Sequence, residues 1–191
     1  MSEKLLAGRV HLWTAAEGTA APAPAQAPGG AWSKLGDSQY TNDGVRMTMS
    51  ETIEETMTLK STLPQDADRT EESYRIAVDI YDATIDTLGL LLGKTVTTRN
   101  PGSGSIGTKR VDLHRGFRVK KYALLLQGNA PYALSMPSEN DMYWWWPRVY
   151  VVSLGEFRRV KTKQILPVTF GLLDHSSAQA GYVIAKSGDA T

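Results

Sequence analysis

Tyr143-Trp144-Trp145-Trp146-Pro147-Arg148-Val149-Tyr150 places three of the five tryptophans of the chain in eight consecutive residues. A period of two along an extended strand sends Tyr143, Trp145, Val149 and Val151 to one face and Trp144, Trp146, Tyr150 and Val152 to the other. Both faces are apolar, and aromatics left bare on this scale form a sticky patch, so the strand must be covered on two sides. Two arrangements satisfy that demand. In one, both faces are buried inside the subunit, between a sheet and a helix. In the other, a second copy of the chain covers one face, and assembly completes the fold. Pro147 favours the second, because proline has no N–H to give a ladder and sits at a sheet edge or a bulge rather than inside a central strand. An edge strand can be extended by a neighbour.

The 191 residues, 41% hydrophobic and 21% charged, describe one globular domain over 1–191 with a single sizeable core. Apolar runs such as Leu90 to Leu92 and Ala123 to Leu126 fall far below the roughly 20 residues of a spanning helix. Met1 to Val10 lacks the apolar stretch of a signal peptide, so synthesis and assembly are expected in a cytoplasm, with no membrane partner. The absence of cysteine removes disulfides, thiolate nucleophiles and cysteine-based zinc sites. His11, His114 and His175 share no ligand spacing, so no metal is expected. Gly102, Gly104 and Gly107 have the spacing of a dinucleotide fingerprint, but the stretch from Lys109 to His114 alternates like a strand instead of opening a helix. A phosphate loop needs lysine directly after its last glycine, and Thr108 stands there. The carboxylates from Glu51 to Glu55 lie on a polar arm, not in an apolar pocket that would separate an acid from a base. No catalytic residue and no cofactor is expected, and the chain is read as a non-enzyme.

Net charge is only +1, which argues against a generally basic surface for nucleic acid, but the charge is segregated. From Glu51 to Glu72, seven carboxylates (Glu51, Glu54, Glu55, Asp66, Asp68, Glu71, Glu72) face Lys60 and Arg69, a net of −5. From Lys109 to Lys121, six cations face Asp112, a net of +5, and Arg148 to Lys163 adds five cations against Glu156, a net of +4. Such blocks are solvated faces or pairing surfaces between copies, and pairing would set register and suppress wrong partners.

Gly8 to Thr14 reads as a first strand, followed by a Pro/Ala/Gly surface loop over 18–31 and renewed apolar structure at Trp32. Val45, Met47 and Met49 alternate with polar residues, alternation resumes at Met57 and Leu59, and a polar loop from Pro64 to Asp68 leads into Tyr74, Ile76, Val78 and Ile80. This predicts a long hairpin with an acidic arm over 51–72. Asp82 is the expected N-cap of one helix, with Ile85, Leu88, Leu91 and Leu92 at helical spacing and Gly93 as its stop. Lys109–His114, Phe117–Leu126, Met142–Leu154, Gln164–Leu173 and Gly181–Lys186 read as further strands. The fold class is mainly β, an antiparallel sandwich or barrel with one flanking α-helix.

The order of these pieces resembles the major tail tube protein of long-tailed, siphovirus-like bacteriophages. The resemblance is carried by Gly8 to Trp13 with the Pro/Ala loop, Trp32 to Gly36, Asp43 to Val45, Glu51 to Glu55, Tyr143 to Tyr150, Leu154 to Glu156 and Leu166 to Phe170, in that order over most of the chain. It implies strands joining across subunits into hexameric rings, stacked into the tube through which DNA leaves the capsid. The implied partners are the chain itself, the tape measure, tail terminator and baseplate or tip proteins, with DNA passing through the lumen without specific binding. The implied location is the virion tail. Four strands from each of six copies, about 4.8 Å apart and tilted about 40°, close a wall roughly 150 Å around and about 48 Å across, wide enough for duplex DNA. The doubly apolar strand, the polar arm and the segregated charge agree with this picture. Glu51, Glu54, Glu55, Asp66, Asp68, Trp144, Trp146, Arg148 and Arg158 are expected at subunit interfaces. Asp79 and Glu55 are expected toward an acidic or neutral lumen, since lining cations would hold phosphates, although Arg46 and Arg75 compete for the same positions. Two other readings stand beside it: a carbohydrate-binding β-sandwich with Trp144 to Trp146 as a stacking platform, and the tube of a related contractile injection or secretion system.

Overall fold

The computed structural model describes residues 7–23, 28–35, 40–56, 64, 66–81, 83–102, 106–114, 116–129, 142–160, 163–174 and 181–185. Among the residues named above, Met1, Gly36, Met57, Leu59, Lys60, Asp82, Gly104, His175 and Lys186 lie outside this set. The described strands are β1 (Ala7–Ala16), β2 (Ser33–Lys34), β3 (Tyr40–Thr56), β4 (Asp66–Tyr81), β5 (Thr97–Arg99), β6 (Thr108–Arg110), β7 (Lys121–Asn129), β8 (Met142–Leu154), β9 (Arg158–Val160), β10 (Lys163–Leu172) and β11 (Tyr182–Ala185), with α1 (Ile85–Leu92) between β4 and β5. The main sheet runs β2-β1-β7-β8-β10-β4-β3 and is antiparallel throughout. β11 pairs with the first part of β8, β9 with the start of β10, and β5 with β6 in a separate ribbon. The sheet curls until Cα atoms of β1 and β3, near opposite ends of the order, come within 8 Å, yet the two strands form no ladder among the described residues. The result is an open, strongly curved β fold with one helix.

The curl encloses the main core. Leu12, Ile76, Val78, Ile80, Leu124, Leu126, Leu166, Val168 and Phe170 point inward from four strands, and α1 lays Leu88, Leu90 and Leu91 against them. Burial of each such side chain contributes about 1.5–3 kcal/mol relative to exposure. The helix starts on Thr84, whose hydroxyl oxygen accepts from the Thr87 N–H at 3.1 Å, and ends on Gly93, left-handed at φ 69°. The cap is therefore Thr84 and not the expected Asp82. Thr84 is the residue with extended backbone directly before Ile85, which aims its side chain at the exposed amides of the first turn.

β8 is an interior strand, which corrects the edge expectation drawn from Pro147. The proline is accommodated by the other route, a bulge. Against β7 the register runs Tyr122↔Val149 and then Leu124↔Trp146, so two residues of β8, Pro147 and Arg148, oppose the single Ala123. On the opposite edge, β11 pairs as far as Trp145 and β10 begins at Val149, so Pro147 falls in the gap between partners. Its carbonyl accepts from the Gly18 N–H at 3.0 Å. The extra residue switches the alternation, and Val149 and Val151 join Trp144 and Trp146 on the main core rather than Tyr143 and Trp145. A second register shift, against β10 between Thr169 and Phe170, leaves Val152 unpaired and returns Leu154 to the core side.

The other face of β8 is covered by the chain's own residues, Trp32 and, from the Pro/Ala/Gly loop that runs over the surface as expected, Ala21. Trp32, Ala15, Ala123, Leu125 and Tyr143 form a second core, with Trp13, Ala21 and Trp145 packed on it. The Tyr143 hydroxyl donates to the Pro22 carbonyl at 3.1 Å and the Trp145 indole N–H to the Thr19 carbonyl at 3.0 Å, pinning the loop. Two further expectations shift. β4 already begins at Asp66 where a loop was expected, and the strands expected at Lys109–His114 and Phe117–Leu126 are observed at Thr108–Arg110 and Lys121–Asn129. Phe117 stands fully exposed between them, so the apolar side chain that suggested strand continuity has no ladder behind it.

Trp146, 6% exposed, fills the main core, so Trp146→Ala should cost about 3–5 kcal/mol in urea unfolding. Phe117→Ser should leave the unfolding midpoint unchanged, because its ring is already in water.

Candidate functional site

The chemistry-bearing surface begins with the β3–β4 hairpin. β3 and β4 pair from the body of the sheet out to Thr56↔Asp66, and every residue from 48 to 56 and from 66 to 73 is exposed. At about 3.3 Å per residue, the free part of β3 extends roughly 26 Å. Its two faces differ. One carries Thr48, Ser50, Thr52 and Glu54 opposite Arg75, Ser73, Glu71 and Asp68; the other carries Met49, Glu51, Ile53 and Glu55 opposite Tyr74, Glu72, Arg69 and Ala67. The register shift between Thr52 and Ile53 is absorbed by Thr70 on β4, so the alternation along β3 is unbroken.

Two cross-strand pairs set like charges opposite each other, Glu51↔Glu72 and Glu54↔Asp68, which weakens an isolated hairpin. Partial relief comes from Arg69, whose Nε lies 2.8 Å from Glu51 Oε2, and from Tyr74, whose hydroxyl donates to Glu72. That hydrogen bond to the carboxylate, with burial adding to it, raises the Tyr74 phenol above its ordinary value of 10.0.

The hydroxyl and acid face of the arm runs into the outer face of β4, β10 and β8, which belongs to neither buried cluster. Asp79 lies there with Ala77, Arg75 and Arg46; Glu55 shares the Met49 face, and its neighbour Glu54 shares the face of Asp79. At the centre, Arg75 and Tyr150 flank Gly171, and Arg75 Nη1 donates to the Tyr150 hydroxyl at 3.2 Å across it. A Cβ on Gly171 would meet that Nη1 at 2.6 Å and the Tyr150 ring at 2.8 Å. Only glycine permits the crossing.

The basic blocks are partly consumed within the subunit. Lys109 Nζ lies 2.5 Å from Asp86, Arg110 3.1 Å from Asp112, and Arg158 4.0 Å from Glu156. Arg148, expected at an interface, sits 2.6 Å from Glu17 and donates to the Asp174 carbonyl at 3.0 Å. Arg118 and Lys120 have no carboxylate at ion-pair distance among the described residues. With Leu91, Leu92, Val119, Tyr150 and Val152 they line a groove of about 270 Å³. Of the residues expected at interfaces, Glu51, Glu54, Glu55, Asp66 and Asp68 come together on the exposed arm, while Trp146 lies in the core with the partly buried Trp144 beside it, ring centroids 5.9 Å apart. The three indoles divide between two cores, so they form no stacking platform and the carbohydrate reading falls away. The groove was not anticipated; Val119, set between the cations Arg118 and Lys120, is the one local trace of it in the sequence, and the rest of its lining comes from other segments.

A curved β body, an unsupported acidic arm and a separate basic groove define a structural protein whose polar chemistry is displayed on surfaces. The sequence matches the phage tail tube protein family over residues 1–190, and the chain belongs to that family. Such a protein is a structural component of the virion tail that assembles with itself and with other tail proteins, and it is not an enzyme. No curated protein sequence matches the chain. Among solved structures it is similar to a chain in "Cryo-EM structure of the anti-feeding prophage (AFP) baseplate, 6-fold symmetrised", with 9% identity, 97% of this chain and 98% of that chain covered, and a TM-score of 0.49.

Gly171→Val should break the Arg75–Tyr150 crossing and destabilise the protein by about 1–3 kcal/mol, read as a lowered thermal midpoint, with Gly171→Ala showing a smaller loss.

Proposed function

We propose that six copies of this chain close into a ring, that rings stack into the tail tube, and that the outer face of β8, β10, β4 and β3 lines its DNA channel. The observation that carries this reading is the chemistry of that face. On its β3 and β4 part, among the described residues, it presents Thr48, Ser50, Thr52 and Ser73 with five carboxylates, Glu54, Asp66, Asp68, Glu71 and Asp79, against two guanidinium groups, Arg46 and Arg75. Hydroxyls offer a wetted wall without a fixed charge, and the carboxylate excess repels phosphates, which keeps a duplex from binding the wall and releasing counterions there. Arg75 is turned to the Tyr150 hydroxyl, which draws one of the two cations onto the protein itself. β3 is the last strand of the sheet order and its outer edge is unpaired along the arm among the described residues, a row of backbone groups that a neighbouring strand can complete. Four adjacent strands per copy match the wall arithmetic given above. Assembly takes place in the host cytoplasm, and the tape measure, tail terminator and baseplate or tip proteins occupy the lumen and the two ends.

The chain contains no cysteine, so single-cysteine variants report position cleanly. Tubes formed from Ser50→Cys, labelled after assembly with a maleimide gold cluster and imaged by electron microscopy, should carry their label inside a central channel. Label on the outer wall, or a protein that never forms tubes, would contradict the proposal.

A further inference from the structure

We infer that the apolar stripe of the arm, Met49 and Ile53, docks into the basic-rimmed groove of a second copy of this chain. The inference rests on the self-assembly just proposed and names the contact that carries it. The stripe continues a core row outward: Met47 packs against the main core, and the next apolar positions on the same face, Met49 and Ile53, with Glu51 between them, are 66% and 52% exposed. A hairpin stable in isolation has no use for a large apolar residue every second or fourth position on an uncovered face; such residues mark a contact surface. The groove is the complementary feature. At about 270 Å³ it is smaller than the roughly 300–1,000 Å³ of small-molecule sites, and the apolar part of its lining, Leu91, Leu92, Val119 and Val152, suits inserted side chains.

Charge selects the partner. Glu51 and Glu55 alternate with Met49 and Ile53 on β3, and Glu72 stands opposite Glu51, while the groove is edged by Arg118 and Lys120. Seating the stripe brings the repelling Glu51–Glu72 pair to those cations, so the contact relieves a strain built into the free arm. The arm does not serve its own groove. Both are exposed in the same subunit, and the register Arg75↔Gly171↔Tyr150 sets the groove level with the root of the arm, two strands away, while the arm extends in the other direction. Stripe and groove are different surfaces of one molecule, so the contact is heterologous: each copy gives an arm to the next and receives one, and the interaction propagates instead of stopping at a dimer.

A charge-swap series tests this. Glu51→Lys with Glu72→Lys on the arm, or Arg118→Glu with Lys120→Glu at the groove, should each raise the protein concentration needed for assembly by about tenfold or more in sedimentation velocity. All four together should recover most of the loss, and Met49→Asp with Ile53→Asp should abolish assembly without rescue. Far-UV circular dichroism should be unchanged in every variant, since none of these side chains is buried. Oxidation of assembled Ile53→Cys/Val119→Cys protein should give a ladder of covalent multimers. Wild-type protein that assembles while the single-side variants assemble equally well, or a swap that gives no recovery, overturns the docking alone. Wild-type protein that never assembles overturns the proposed tube along with it.

Discussion

Pro147 has no N–H to offer, and the way β8 absorbs that missing donor sets the arrangement of everything around it. The bulge at Pro147 and Arg148 lies where β11 stops and β10 starts, so one strand serves two partners on the same edge. It also turns the alternation by one residue, which sends Trp144, Trp146, Val149 and Val151 to a single core and leaves Tyr143 and Trp145 for the other side. Without that switch the main core would lose either its indoles or its valines. Bulges bend and twist the strand that contains them, and two in β8 account for a sheet that curls far enough to bring β1 and β3 together.

Self-sufficiency of the core has a consequence for assembly. Because the chain covers both faces of its aromatic strand with its own residues, the surfaces free for other copies are elsewhere: the arm, the outer face of β4 and β10, and the groove beside α1. These are polar or mixed surfaces with segregated charge, and they can meet water before assembly without exposing the tryptophans. On the assembly proposed above, contact between copies draws on electrostatics and a few exposed apolar groups and leaves both tryptophan-containing cores intact.

Much of this was legible in the residues. β8 occupies Met142–Leu154 as its aromatic and β-branched run predicts, and Gly93 ends the helix as its place after Leu92 predicts. The demand that β8 be covered on two sides was also correct. What covers it was not legible, since loop 18–31 reads as Pro/Ala/Gly punctuation and only the fold shows Ala21 and Trp145 packed on the cluster that holds Trp32. Parity failed for the same kind of reason. A one-residue bulge leaves no mark on composition yet reverses the face of the residues beyond it, so Val149 and Val151 moved; on β3 the alternation is unbroken, and Glu54 rather than Glu55 shares the face of Arg46 and Asp79 by plain period-two parity. The groove could not be read because Leu91, Val119 and Val152 belong to three separate segments.

Amide hydrogen exchange, followed residue by residue on monomeric and on assembled protein, tests the central claim most directly. The account predicts that amides of Trp144 to Trp146 and Val149 to Val151 are already among the slowest in the monomer and do not change on assembly, whereas those from Met49 to Thr56 exchange fast in the monomer and slow only when copies join. Fast exchange at the three tryptophans that disappears on assembly would show that a neighbour, not the chain's own loop and sheet, completes that strand.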